Sequence, residues 1–224
     1  MTSPSPEPPR VAVRGEAHLE AEPETARITV TVNARGRDRR SALDDLTRRN
    51  AAALDLIKSH GDAVERLETG HLTITPELSE RGRGERVRTH HGHVQITAVL
   101  SDFTLLGELT TRLADLELTR VDGPWWALRP DSPARTQVRR QAVREAVQRA
   151  REYAEALGST LTGLIDIADI GTEHAEPRVR TAPRAPGYGA PAENTPPPAL
   201  DLEPQRQHLY AQVTARFTMT PPHL

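Results

Sequence analysis

Cysteine does not occur in the chain. Its absence excludes disulfides, thiolate zinc sites, iron–sulfur clusters and thiol nucleophiles, and leaves the redox compartment open. Aromatic residues are only 3% of the 224 residues, so the core has to be built from Val, Leu, Ile and Ala. Lysine is nearly missing as well, Lys58 being the only one. The bias towards arginine reads as a GC-rich coding sequence rather than a set of phosphate contacts. The arginines are interleaved with Asp and Glu, and the net charge is -2, so nucleic acid is not an expected partner. No apolar run approaches the roughly 20 residues that a membrane-spanning helix needs. Residues 1–10 contain neither a basic n-region nor an apolar h-region, which points to a cytoplasmic protein.

What is present is a patterned chain of single-domain length. Residues 1–9 are rich in Pro and Ser and read as a disordered tail, and residues 10–221 as one domain. Val11 and Val13 alternate with polar neighbours. After Pro23, Ala26, Ile28, Val30, Val32 and Ala34 do the same, so the opening reads as a hairpin of two half-buried strands. The period then changes to that of a helix from Asp38 to Gly61, with Leu43, Leu46, Asn50, Leu54 and Ile57 on its inward side. Asp38 is the expected N-cap and Gly61 the expected left-handed terminator. A second hairpin carries Leu72 and Ile74 on one strand and Val94, Ile96, Ala98 and Leu100 on the other, joined by the turn at Arg81-Gly82-Arg83-Gly84.

Asp102 can cap a short helix with the stripe Leu105, Leu106, Leu109 and Leu113, followed by a strand from about Glu117 to Leu128. Ser132 and Pro133 then begin a long helix, because Ser caps and Pro at the first helical position loses no hydrogen bond. Its expected inward stripe is Val143, Val147, Ala150, Ala154 and Leu157, whose small alanines imply a backbone lying close to a sheet. Leu161 to Ile170 is apolar on both faces and is expected to be a central strand. The Pro-rich stretch 174–204 reads as a mobile loop. A last alternating strand, Leu209 to Met219, has to return to the sheet. The order ββαββαβαββ predicts an α+β fold, an antiparallel or mixed sheet with helices packed on one face.

In this order, the pieces Val11-Ala12-Val13-Arg14-Gly15, Pro23-Glu24-Thr25-Ala26, His60-Gly61 and Leu72-Thr73-Ile74-Thr75-Pro76 lead on to Val94-Gln95-Ile96-Thr97. Ala142-Val143-Arg144-Glu145-Ala146 follows, and then the helix closing on Ala156-Leu157-Gly158. Together they resemble the SIMPL-domain family, a mostly bacterial group catalogued as a domain of unknown function, over about Val11 to Thr220. Members often carry a secretory signal and work in the periplasm or envelope. The family usually places an aromatic residue at the entry to the fourth strand, where this chain has His90-His91-Gly92-His93. The resemblance implies a non-enzymatic, oligomer-forming protein loosely linked to stress tolerance or signalling. It carries over no catalytic residue and no cofactor.

Among candidate sites, His91 and His93 project to one side of a strand and offer two imidazoles to Zn²⁺ or Ni²⁺. His71 is the expected third ligand if the hairpin register brings it across. No neighbouring residue supplies the acidic partner that orients such ligands. Trp125 and Trp126 place one ring inward and one outward, and the outward ring suits an interface. No Gly-x-Ser-x-Gly, His-Glu-x-x-His or P-loop motif occurs. The expected protein is a homo-oligomer that associates through sheet edges or the outward Trp. A small-ligand or metal-binding module on His91 and His93 is the alternative, and a hydrolase whose residues meet only in the fold comes third.

Overall fold

The computed structural model describes residues 7–78, 87–169 and 198–223. Residues 1–6, the turn at Arg81-Gly82-Arg83-Gly84 and most of the stretch 174–204 lie outside them. The elements follow the expected order: β1 (Arg10–Ala21), β2 (Thr25–Gly36), α1 (Arg39–Lys58), β3 (Val64–Leu78), β4 (Val87–Leu100), α2 (Phe103–Ala114), β5 (Thr119–Ala127), α3 (Pro133–Ala156), β6 (Leu161–Asp169) and β7 (Gln207–Met219). The fold is α+β with antiparallel pairing throughout, and the strands form two sheets, β1-β7-β6 and β3-β4-β2-β5. Each sheet belongs to its own compact unit, the first with α3 and the second with α1 and α2.

In the four-stranded unit, β2 and β4 pair so that Ile28 faces Ala98, Val30 faces Ile96 and Val32 faces Val94. Directly opposed residues share a sheet face. This row is fully buried beneath Leu46, Ala53 and Ile57 of α1 and Leu106, Leu109 and Leu113 of α2. Each such Leu or Ile contributes about 1.5–3 kcal/mol relative to an exposed one. The helix starts are set locally. The Asp38 carboxylate accepts from Ser41 N at 2.8 Å, and Asp102 accepts from Thr104 N and Leu105 N at 2.9 and 3.0 Å. Each satisfies backbone donors that have no partner inside the helix.

The three-stranded unit has β7 at its centre. Leu209, Ala211, Val213, Ala215, Phe217 and Met219 are buried on the face that α3 covers. The buried stripe of α3 is Val138, Ala142, Ala146, Ala150 and Ala154. It meets β1 at Gly15, where an added Cβ would stand 2.5 Å from Ala146 N, 2.7 Å from Ala146 Cβ and closer still to Ala142 O. Strand and helix backbones are therefore in contact, and only hydrogen fits between them. Ser132 caps the helix through Ala134 N, Pro133 follows it, and Gly158 leaves with φ +63.

Four expectations are corrected. The opening strands are not a hairpin, because β1 pairs with β7 whereas β2 pairs with β4 and β5. Alternation marks a strand with one buried face but not its neighbour. The stripes of α1 and α3 are rotated: Ala42 and Ala53 are buried in α1 while Leu43 is exposed, and in α3 Ala142 and Ala146 replace Val143 and Val147. Close backbone packing selects the smallest side chains over the most apolar ones. Helix α1 ends at Lys58 with Ser59 as its C-cap, and Gly61 takes its positive φ of 53 in the short 3-10 turn that follows. Finally, the strand beginning at Leu161 lies at the edge of its sheet rather than the centre.

The contact at Gly15 makes a direct prediction. Gly15→Ala should lower stability by about 1–3 kcal/mol, the usual cost of overpacking, because the obstructing atoms are backbone. Gly70→Ala should be near neutral, since its Cβ would meet only Gln95 O at 3.7 Å. Urea unfolding of the two variants beside the parent measures the difference.

Candidate functional site

Because Val94, Ile96 and Ala98 face the helices, the alternate residues of β4 face away from them. His91 and His93 are therefore on one outer face, as their spacing requires. Their neighbours across the ladders are Arg35 and Asn33 on β2 and Thr75 and Thr73 on β3. His71 does not come across to them. It lies in the register shift between Thr69 and Leu72, further along β3.

His91 has a partner that the sequence did not disclose. Its Nε2 is 2.7 Å from Glu77 Oε2, and Thr89 Oγ1 donates to the same oxygen at 2.6 Å. Glu77 stands opposite Thr89 in the β3–β4 ladder, on the diagonal from His91. These contacts pull the Glu77 carboxyl down to about 2, the Thr89 hydroxyl first and the His91 imidazole second. His93 Nδ1 is 3.4 Å from Asn33 Oδ1. Among the described residues no group of three or more His, Cys, Asp or Glu side chains is placed to hold a metal ion. His90 points to the helix side, and its buried Nδ1 has no hydrogen-bond partner.

The two tryptophans divide as expected. Trp126 packs edge-on against Phe103 with ring centroids 4.8 Å apart and joins the core. Trp125 faces outward, 37% exposed, with the Arg27 guanidinium 5.1 Å from its ring centroid. At that separation a cation and an aromatic face attract.

The feature that the sequence concealed is β6. Register shifts between Leu161 and Gly163 and between Leu164 and Asp166 set Thr162 and Ile165 outside the regular pairing. As a result Leu161 faces Met219, Leu164 faces Phe217 and Ile167 faces Ala215, so three residues spaced by three share the apolar face of the sheet. Helix α3 rests on β1 and β7 and scarcely reaches β6. Leu164 and Ile167 are left 57% and 45% exposed, with Ile165 at 41%. An open groove of about 680 Å³ runs between β6 and the Val147, Arg151 and Glu155 side of α3. The second edge of β6 has no strand partner among the described residues.

The Glu77 cluster has a measurable signature. Its contribution is fully present above the ordinary carboxyl value of 4.5 and is lost as pH falls through about 2. Thr89→Ala should raise the Glu77 titration midpoint towards 4.5, and by more than His91→Gln does. Carbonyl-detected NMR titration of the three proteins reads this order directly.

No helix of the described residues is long and apolar enough to cross a membrane. The chain is 23% identical over 217 residues to the uncharacterized protein YggE of Edwardsiella ictaluri, an alignment covering 96% of this chain and 89% of that one. It is 22% identical over 171 residues to a 26 kDa periplasmic immunogenic protein of Brucella melitensis, covering 73% and 68%. A crystal structure of a putative amidohydrolase/peptidase from Burkholderia cenocepacia aligns over 59% of this chain and 33% of that one, at 18% identity and a TM-score of 0.24. Similarity that low carries no argument about activity. The family model SIMPL, described as a protein of unknown function (DUF541), matches residues 11–217, and the chain belongs to that family.

Proposed function

We propose that this chain is a non-enzymatic structural or interaction protein that works by associating with copies of itself. The observation that carries this reading is the β6 edge. Leu164, Ile165 and Ile167 lie exposed along a strand whose outer backbone groups have no strand partner among the described residues. An unpaired edge with aliphatic side chains is a template for another strand, and folded proteins generally blunt such edges. Each aliphatic side chain left in water forgoes about 1.5–3 kcal/mol that association recovers. Trp125, with its exposed ring, is the secondary contact surface in this reading. The wider role, in stress tolerance or signalling, is assigned from the family resemblance alone.

The first measurement is the molar mass of the full chain by size-exclusion chromatography with light scattering, at physiological salt and without added metal. The expected result is a discrete species at a multiple of 24.7 kDa. A single species at 24.7 kDa across a hundredfold concentration range would overturn the reading.

A further inference from the structure

Resting on that reading, we infer that the partner of β6 is β6 of a second copy, paired antiparallel about a two-fold axis at Leu164. The two three-stranded sheets then become one of six strands. Three observations within this unit lead there.

The first concerns the opposite edge of the same sheet. On β1, the backbone N–H of Glu16 donates to Glu145 Oε2 of α3 at 3.1 Å. A side chain already occupies a donor that an incoming strand would need in the middle of that edge. Among the described residues no side chain occupies a backbone N–H of β6 from Leu161 to Ala168, so an association that pairs like with like closes on itself instead of continuing head to tail.

The second is self-complementarity. Leu161, Leu164 and Ile167 share a face at equal spacing about Leu164. With Leu164 opposite Leu164 of the second copy, Leu161 falls opposite Ile167 and Ile167 opposite Leu161. The aliphatic row is matched along its whole length. Ile165 falls opposite Gly163, which has no side chain to obstruct it. Directly opposed side chains in an antiparallel pair lie about 4.5–5.5 Å apart, close enough for each pair to remove the other from water.

The third is charge. Asp166 and Asp169 are the only charged residues of β6. A register that set Asp166 against its own copy would be repulsive. Centred on Leu164, Asp166 instead faces Thr162, and the two Asp166 residues are about 13 Å apart along the strands at roughly 3.3 Å per residue. That exceeds the Debye length of about 8 Å at physiological salt. Asp166 also keeps its partner Arg216, 3.5 Å away on the face opposite the groove.

The absence of native cysteine makes the test clean. Leu164→Cys places one thiol on the axis and should give a covalent dimer of about twice 24.7 kDa on mild oxidation or with a short bis-maleimide. Leu161→Cys and Ile167→Cys should each cross-link poorly alone and well when mixed. Ile165→Lys, a change at an exposed position, should halve the mass of a dimer while leaving the far-UV circular dichroism of the folded chain unchanged, and its melting temperature should lose the dependence on protein concentration that the parent shows. If the parent is multimeric but Leu164→Cys does not cross-link, or Ile165→Lys leaves the mass unchanged, the β6 pairing is overturned while self-association stands. Cross-linking of Ile167→Cys alone with none at Leu164→Cys overturns the register. A monomeric parent overturns both readings.

Discussion

Helix α3 meets β1 where Gly15 leaves no side chain between strand and helix backbones, and the layout of the three-stranded unit depends on that contact. A helix can approach a sheet this closely only if its facing side chains are small, and α3 supplies Ala142, Ala146, Ala150 and Ala154 at intervals of four. The depth of the contact fixes the helix over β1 and β7. A helix is about 10 Å across with its side chains, whereas three strands span more than one such width. Covering β1 and β7 so closely leaves β6 beyond its reach. The exposed aliphatics of β6 are thus a geometric consequence of Gly15, two strands away.

The four-stranded unit solves the same covering problem with two helices. Leu46, Ala53 and Ile57 of α1 and Leu106, Leu109 and Leu113 of α2 bury the row carried by β2 and β4, and Trp126 and Phe103 pack against it. Its helix-free face can then be polar, and Thr29, Thr31, Asn33, His91, His93 and Gln95 occupy it. The Glu77–His91–Thr89 cluster belongs to that face. It is a set of cross-strand contacts made possible by the hairpin register, with the Glu77 carboxylate accepting from Thr89.

Much of this was legible in the chain. The element order follows from period changes, and the caps Asp38, Asp102 and Ser132 follow from the need of the first helical N–H groups for acceptors. The closeness of α3 to a sheet was readable from its alanines, and the division of Trp125 and Trp126 from strand alternation. What was not legible depends on pairing between distant segments. Alternation in β1 and β2 has the same form whether the two pair with each other or with β7 and β4. Glu77 and His91 are fourteen positions apart, and only the register makes them neighbours. In β6 the two unpaired residues turn a spacing of three into a single face, so a stretch that looks apolar on both sides is a one-sided edge strand. A period-two reading assigns Leu164 and Ile167 to opposite faces, which is why it places the strand at the centre.

The edges of the two sheets show why β6 is the informative one. Strand β3 carries Glu65, Arg66, Glu68 and Pro76, and charge and proline both disfavour an added strand. Strand β5 carries the Arg120–Asp122 ion pair and Pro124. Strand β1 has the Glu145 carboxylate seated on Glu16 N. Each device works by occupying or repelling what a neighbouring strand would bring. Strand β6 has two acidic residues, both in its second half, with Asp166 paired to Arg216, and its aliphatic row runs from Leu161 through Leu164 to Ile167. Bulges ordinarily protect an edge by twisting it away from a partner. Here they align Leu161, Leu164 and Ile167 on one face, so the same irregularity that breaks the ladder with β7 builds a contact row along the open side.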